Sequence, residues 1–247
     1  MIDVEVKSGI AVLNMRHGKV NAMDFEFCQS LIAELRNLET NDCRAAVLTG
    51  NDRVFSAGVD LVRLLDGGRD YLVTFLPVLI DCSKSIFQFP KPLVAAINGH
   101  AIAGGCILAS ACDFRLTHSK ARIGIPELRV GVPLPSIAIE ILRFAVSTEA
   151  LQIMVNVGKN YRGEDAVGVG LADQIVTLEG LADSAIEAAN DLLAIPPSVF
   201  AISKKQLRAP ANRNVELSEK DYESAMLELW HSDEIRDVIK KYVSERL

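Results

Sequence analysis

Apolar and polar positions alternate over Asp3–Val6 and again over Gly9–Met15, about a Ser8-Gly9 turn. A period of two on both sides of a glycine turn predicts an antiparallel hairpin. The period then lengthens. Phe27, Leu31, Leu35 and Leu38 recur at helical spacing between Asn21 and Thr40, with Asp24 placed to cap the helix. Ala45–Leu48 reads as a short strand. The loop Thr49–Val59 leads into a helical stretch from Asp60 to Leu65, which Gly67-Gly68 breaks before a long helix over Tyr71–Phe89, around Pro77. Pro90 and Pro92 punctuate the start of a buried strand, Leu93–Ile97. A glycine-rich turn, Asn98–Gly105, and helix-compatible residues Cys106–Cys112 follow, and Asp113 leads into a second strand, Phe114–Thr117. Arg122–Ile125 is a further strand, ending at Pro126-Glu127.

Beyond Pro135 the pattern becomes helical. Ile137–Val146, Thr148–Val157, Gly163–Gly168, Leu181–Leu193, Ser198–Leu207 and Leu217–Val243 all read as helices, and Ala194-Ile195-Pro196-Pro197 is the clearest break among them. The expected architecture is mixed α/β followed by α. We divide it into residues 1–195, an α/β core with the first C-terminal helices, and 196–247, a helical region suited to contacts between subunits.

The stretch from Phe89 to Leu116 is the one the rest of the chain is organised around. A strand feeding a glycine turn and a helix delivers backbone N–H groups that have no intrahelical partner, and glycine lets a ligand come close. Known nucleotide motifs fail here. Gly99 and Gly104 have the spacing of a phosphate-binding loop, but Gly105 and Cys106 follow instead of Lys and Ser/Thr. A purely structural turn and an anion-binding turn both remain open on spacing alone.

Composition narrows the class. The chain has 247 residues, 49% hydrophobic and 23% charged, as in an ordinary globular enzyme. A net charge of −6 argues against nucleic-acid binding, which needs a clustered basic face. Five cysteines with no CxxC pair suggest free thiols in a reducing compartment. The opening residues show no signal-peptide pattern, and no uncharged apolar run approaches membrane-spanning length. The expectation is a cytoplasmic protein without membrane association.

Four separated stretches together resemble the crotonase (enoyl-CoA hydratase/isomerase) superfamily. They are Val20-Asn21-Ala22-Met23, Phe55-Ser56-Ala57-Gly58-Val59-Asp60-Leu61, the segment from Phe89 to Leu116, and Ile123-Gly124-Ile125-Pro126-Glu127-Leu128. The resemblance covers nearly the whole chain. It implies a crotonase-like spiral of β-β-α turns followed by a helical C-terminal region, assembled as a homotrimer or a dimer of trimers. It also implies an acyl-CoA substrate, with CoA part of that substrate rather than a cofactor, and no metal.

By motif position, the resemblance assigns two oxyanion-hole N–H groups to Val59 and Gly104. Such donors stabilise the enolate that forms at the thioester oxygen. Ala22, Ala57, Asp60 and Ile107 fall around the substrate. Arg63 is the first choice among cations for the CoA phosphates, with Lys19 and Arg53 behind it. Hydratases of the family carry two glutamates that hold a water between them. Here the first position is Ile107 and the second is Glu127, and an alkyl group cannot activate water. The chain therefore resembles the Δ3,Δ2-enoyl-CoA isomerases, in which one glutamate moves a proton from C2 to C4. Alternatives are a hydratase-like lyase, a thioester hydrolase using the same hole, and a non-catalytic acyl-CoA-binding relative. His100 reads as a structural hydrogen-bonding residue and Trp230 as a core or subunit contact. Glu140 reads as a salt-bridge residue, and is still the best in-chain candidate for a second acid.

Overall fold

The computed structural model describes residues 1–51 and 53–246. The alternation at the N-terminus folds as expected into a hairpin of β1 (Ile2–Lys7) and β2 (Ile10–Met15). A two-residue strand, β3 (Ala22–Met23), then precedes α1 (Phe25–Thr40), so the helix starts later than Asn21. Asp24 sets that start, because its carboxylate accepts the Phe27 N–H at 2.8 Å. The chain continues through β4 (Ala45–Thr49), β5 (Val54–Ser56) and β6 (Gly58–Val59). The last two are short strands within what the sequence presents as loop.

Asp60 caps α2 (Leu61–Gln88) by accepting the Arg63 N–H at 2.9 Å. This helix passes through Pro77 and kinks where Gly68 takes φ 60° and ψ −152°. The kink is the break that Gly67-Gly68 signalled. Strand β7 (Leu93–Ile97) follows, then β8 (His100–Ile102), a strand inside the expected glycine turn, and α3 (Gly104–Ser110). Next come β9 (Phe114–Thr117), β10 (Ile123–Gly124) and α4 (Glu127–Val130). The C-terminal part comprises α5 (Ser136–Ala145), α6 (Thr148–Val157), β11 (Asn160–Tyr161), α7 (Gly163–Val169), β12 (Gln174–Ile175), α8 (Leu181–Leu193), α9 (Pro197–Trp230) and α10 (Asp233–Arg246).

The six-stranded sheet has the order β1-β2-β4-β7-β9-β12, parallel from β2 onward. Its strands are apolar on both faces, as parallel strands covered on two sides must be. Ala45, Val47, Val94 and Ala96 pack against Leu181, Ala185 and Ala189 of α8. Ala46, Leu48, Ala95 and Ile97 point the other way, into the main core with α1 and α2. A second sheet, ordered β11-β10-β8-β5, stands beside the first, with β5, β8 and β10 mutually parallel. A two-stranded pair, β3 with β6, completes the set.

One expectation fails in the C-terminal helices. The sequence reads as helices over Ser198–Leu207 and Leu217–Val243, whereas α9 runs unbroken through Pro210 and the break falls at His231-Ser232. Pro210 is exposed, so the carbonyl it leaves unbonded faces water. Continuity comes from the row Lys204, Arg208, Ala211 and Val215, all buried. Two of these are cations, and both reach Asp113: Lys204 Nζ at 2.6 Å and Arg208 Nη2 at 2.8 Å. Asp113 also accepts the Leu93 N–H at 2.8 Å. Helix α9 is thereby fastened to the strands on either side of α3.

Candidate active site

The strands β5, β8 and β10 run in one direction, and the chain leaves all three at the same edge. In open α/β sheets that edge is where ligands bind. Beyond β5 lie Gly58 and Val59, beyond β8 lies Gly104, and beyond β10 lies Glu127. Pairing of Ile123 with Ala101 and of Gly124 with Ile102 carries the Pro126-Glu127 step to the level of Ala103-Gly104. A cavity of about 500 Å³ opens there, and its lining includes Ala22, Ala57, Val59, Asp60, Gly104, Ile107 and Glu127.

Three local devices hold this edge. Asn21 is buried with φ 48°; its amide donates to the Phe55 carbonyl at 3.0 Å, and Ser56 Oγ donates back to the Asn21 carbonyl at 2.7 Å. These bonds set β3 beside β6. Gly58 takes φ +86°, and a Cβ there would lie 2.9 Å from the Gly104 nitrogen, so glycine is what lets the two segments meet. Ala103 has φ 56° and precedes α3 without giving its N–H groups a side-chain cap. A non-glycine residue in that region carries strain of about 1–3 kcal/mol, which surrounding structure must hold in place. The Ala103 N–H donates to Gly124 at 2.9 Å, and its carbonyl accepts from Cys106 at 2.8 Å. Two of the three non-glycine residues with positive φ among the described residues therefore adjoin this cavity.

Glu127 stands at the start of α4, after Pro126. It is 8% exposed, and its Oε2 is buried without a hydrogen-bond partner. Desolvation pushes the carboxyl up to about 8, against a weaker opposing bond from its own backbone N–H. Ile107, 3% exposed, contributes apolar lining to the same cavity. The remaining ionisable or polar side chains along the lining are Asp60, Ser83, His100, Arg122, Trp230 and Tyr242. Asp60 is engaged as the α2 cap. His100 accepts the Arg122 backbone N–H through Nδ1 at 3.1 Å, and burial together with nearby Arg122 lowers its basicity. That bond gives His100 the structural part expected of it, although its ring also borders the cavity.

Other expected residues lie elsewhere. Arg63 is outside the lining, paired with Glu26 at 3.2 Å and stacked over Tyr71. Lys19 and Arg53 are not part of the lining either. The arginine that does border the cavity is Arg122. Glu140 is buried and outside the cavity lining, bonded to Arg143 at 2.9 Å and Asn214 at 3.0 Å. Trp230 is a core residue, as expected, and it lines the cavity as well. Its position in a helical row resembles any core aromatic, and only the fold of α9 back over α2 reveals the second role.

Similarity to known proteins agrees with this geometry. The family model for enoyl-CoA hydratase/isomerase matches residues 5–247. The human mitochondrial enoyl-CoA delta isomerase 1 is 28% identical, over 100% of this chain and 83% of its own. A putative enoyl-CoA hydratase of Thermus thermophilus is 30% identical, over 85% of this chain and 84% of its own. The crystal structure of human mitochondrial delta3-delta2-enoyl-CoA isomerase superposes with a TM-score of 0.93 at 25% identity, covering 99% of this chain and 97% of that one. With the α/β spiral, the helical C-terminal region and the strand-edge cavity in place, the chain belongs to the enoyl-CoA hydratase/isomerase family, of the crotonase superfamily.

Proposed function

We propose that this protein isomerises 3-enoyl-CoA to 2-enoyl-CoA, with Glu127 as the sole proton carrier. The observation that carries the reading is a buried carboxyl with one unpartnered oxygen in the lining of a largely apolar cavity, where Ile107 stands at the position that the family resemblance assigns to a hydratase's second acid. In this account the thioester oxygen sits between the backbone N–H groups of Val59 and Gly104. As Glu127 removes a proton from C2, the C2–H electron pair moves into a dienolate whose charge rests on that oxygen. Losing one donor of such a pair costs about 10²–10³ in rate. Glu127 then returns the proton at C4, and the C3–C4 double bond becomes C2–C3.

Both steps use one group, so the group must gain and lose the proton with similar ease. A carboxyl raised to about 8 is a stronger base than an ordinary glutamate, and near neutrality it is populated in both forms. The apolar wall at Ile107 keeps water from trapping the intermediate or from adding to C3. Hydration needs a water held between two carboxyls, and the lining places no second carboxyl that is free of other work, since Asp60 is committed to its cap. A non-catalytic acyl-CoA binder fits less well, because an unpaired buried acid destabilises the fold and gives a pure binder nothing in return. The relatives' names include both an isomerase and a hydratase, so the reaction must be tested directly. Mixing the protein with a 3-enoyl-CoA and following the absorbance of the conjugated thioester is expected to show turnover. Absence of that signal together with rapid hydration of a 2-enoyl-CoA would replace this reading with the hydratase one.

A further inference from the structure

The catalytic cavity has a neighbour. A second hollow of about 70 Å³ lies at the Gly68 kink of α2, bordered by Leu64, Leu72, Arg69, His231 and Arg236. Among the residues lining the two hollows, Trp230 is the single one they share. It is 4% exposed and packed in the main core. Trp230 therefore stands where the two hollows adjoin.

Trp230 belongs to the buried part of the larger cavity's lining. Exposed residues along that cavity are Val20, Ala57, Val62 and Arg122, which mark its mouth, whereas Leu79, Ser83, Ala138 and Trp230 are buried. A thioester placed at Val59, Gly104 and Glu127 directs its alkyl chain toward this buried part. The tryptophan is also fixed in place. Trp230 is the last residue of α9, and Arg69 of α2 donates two hydrogen bonds, at 3.1 and 2.8 Å, to the carbonyl of the adjoining His231. His231 Nδ1 lies 2.7 Å from the Leu227 carbonyl, which can only accept, so the ring is held as well.

We propose that the Trp230 indole is the specificity-determining end wall of the acyl site, limiting acyl chain length by separating the catalytic cavity from the hollow behind it. This rests on the reading of the cavity as an acyl-thioester site, but not on the proton shuttle. Binding of saturated straight-chain acyl-CoA thioesters, butanoyl to dodecanoyl, to the full chain tests it by calorimetry, since saturated chains bind without reacting. Each methylene entering an apolar cavity adds about fourfold in affinity. The series should therefore climb and then level off where the chain meets the indole. Trp230→Ala is expected to move that levelling point outward by about two methylenes or more. Trp230→Phe, which keeps an aromatic wall, should leave it close to the parent's. Should the alanine variant fail to fold, Trp230→Leu carries the same expectation with a smaller shift. A levelling point unchanged in the truncated variant, or uniform weakening of every chain length, overturns the inference while leaving the acyl site intact. No binding by any thioester removes the acyl site itself and this inference with it.

Discussion

A largely buried carboxyl, Asp113, and a buried one, Glu127, lie on either side of α3, and they are treated in opposite ways. Asp113 follows the helix and meets Lys204, Arg208 and the Leu93 N–H, so both of its oxygens are bonded. Glu127 lies across from the helix start and keeps one buried oxygen without a partner. The first arrangement compensates the charge and fastens α9 to the sheet. The second leaves the charge uncompensated, and burial then favours the neutral acid, raising the carboxyl to about 8. Burial alone does not distinguish a structural acid from a reactive one. The partners do.

Substitution should separate the two most sharply in rate. Glu127→Gln is expected to lower isomerisation by about 10²–10⁴, the usual worth of a positioned acid–base group, with thermal unfolding no earlier than in the parent. Asp113→Asn should do the reverse. Leaving two buried cations without their anion costs about 3–5 kcal/mol, read as a lower denaturant midpoint, while activity per folded molecule stays close to the parent's.

The pH dependence of stability sharpens the contrast further. A Glu127 carboxyl held at about 8 in the folded chain, against 4.5 as its ordinary value, binds more protons folded than unfolded between those two limits. Stability from this group therefore falls as pH rises from about 4.5 to about 8, and is unaffected below that window. Denaturant titrations of Glu127→Gln should show the variant gaining on the parent across the window by a few kcal/mol, and matching it at the acid end. The smallest effect expected is a gain of function. Ile107→Glu places a second carboxyl in the cavity and should raise hydration of a 2-enoyl-CoA about tenfold above the parent, short of the full factor a well-placed acid supplies. Product chromatography would detect it. No rise would mean that position 107 does not face the double bond.

Much of the fold around the two carboxyls was legible in the sequence. Strands such as Leu93–Ile97 and Phe114–Thr117 emerge at their true limits, because short apolar runs between proline, glycine and aspartate leave little choice. The glycine segment was singled out from its own residues as a turn that could present backbone N–H groups, and Pro126-Glu127 through the resemblance to the crotonase superfamily. What escaped was held by contacts distant in sequence. Nothing local in the sequence marks Lys204 and Arg208 as buried, so the row that carries α9 past Pro210 was invisible without Asp113, almost a hundred residues away. Strands β5, β6 and β8 are two or three residues long and exist through pairing rather than through any period of their own. Arg122 and Trp230 reach the cavity only after β10 pairs with β8 and α9 folds back, which is why no local pattern marks them.

The central claim is that one unpaired carboxyl carries the same proton from C2 to C4 in a cavity that excludes water. A 3-enoyl-CoA deuterated at C2, turned over once in ordinary water, tests it directly by locating the label in the product by NMR. The account predicts deuterium at C4 in a substantial share of product from the parent protein. Product whose new C4 hydrogen comes wholly from solvent, formed equally fast by Glu127→Gln, would contradict it.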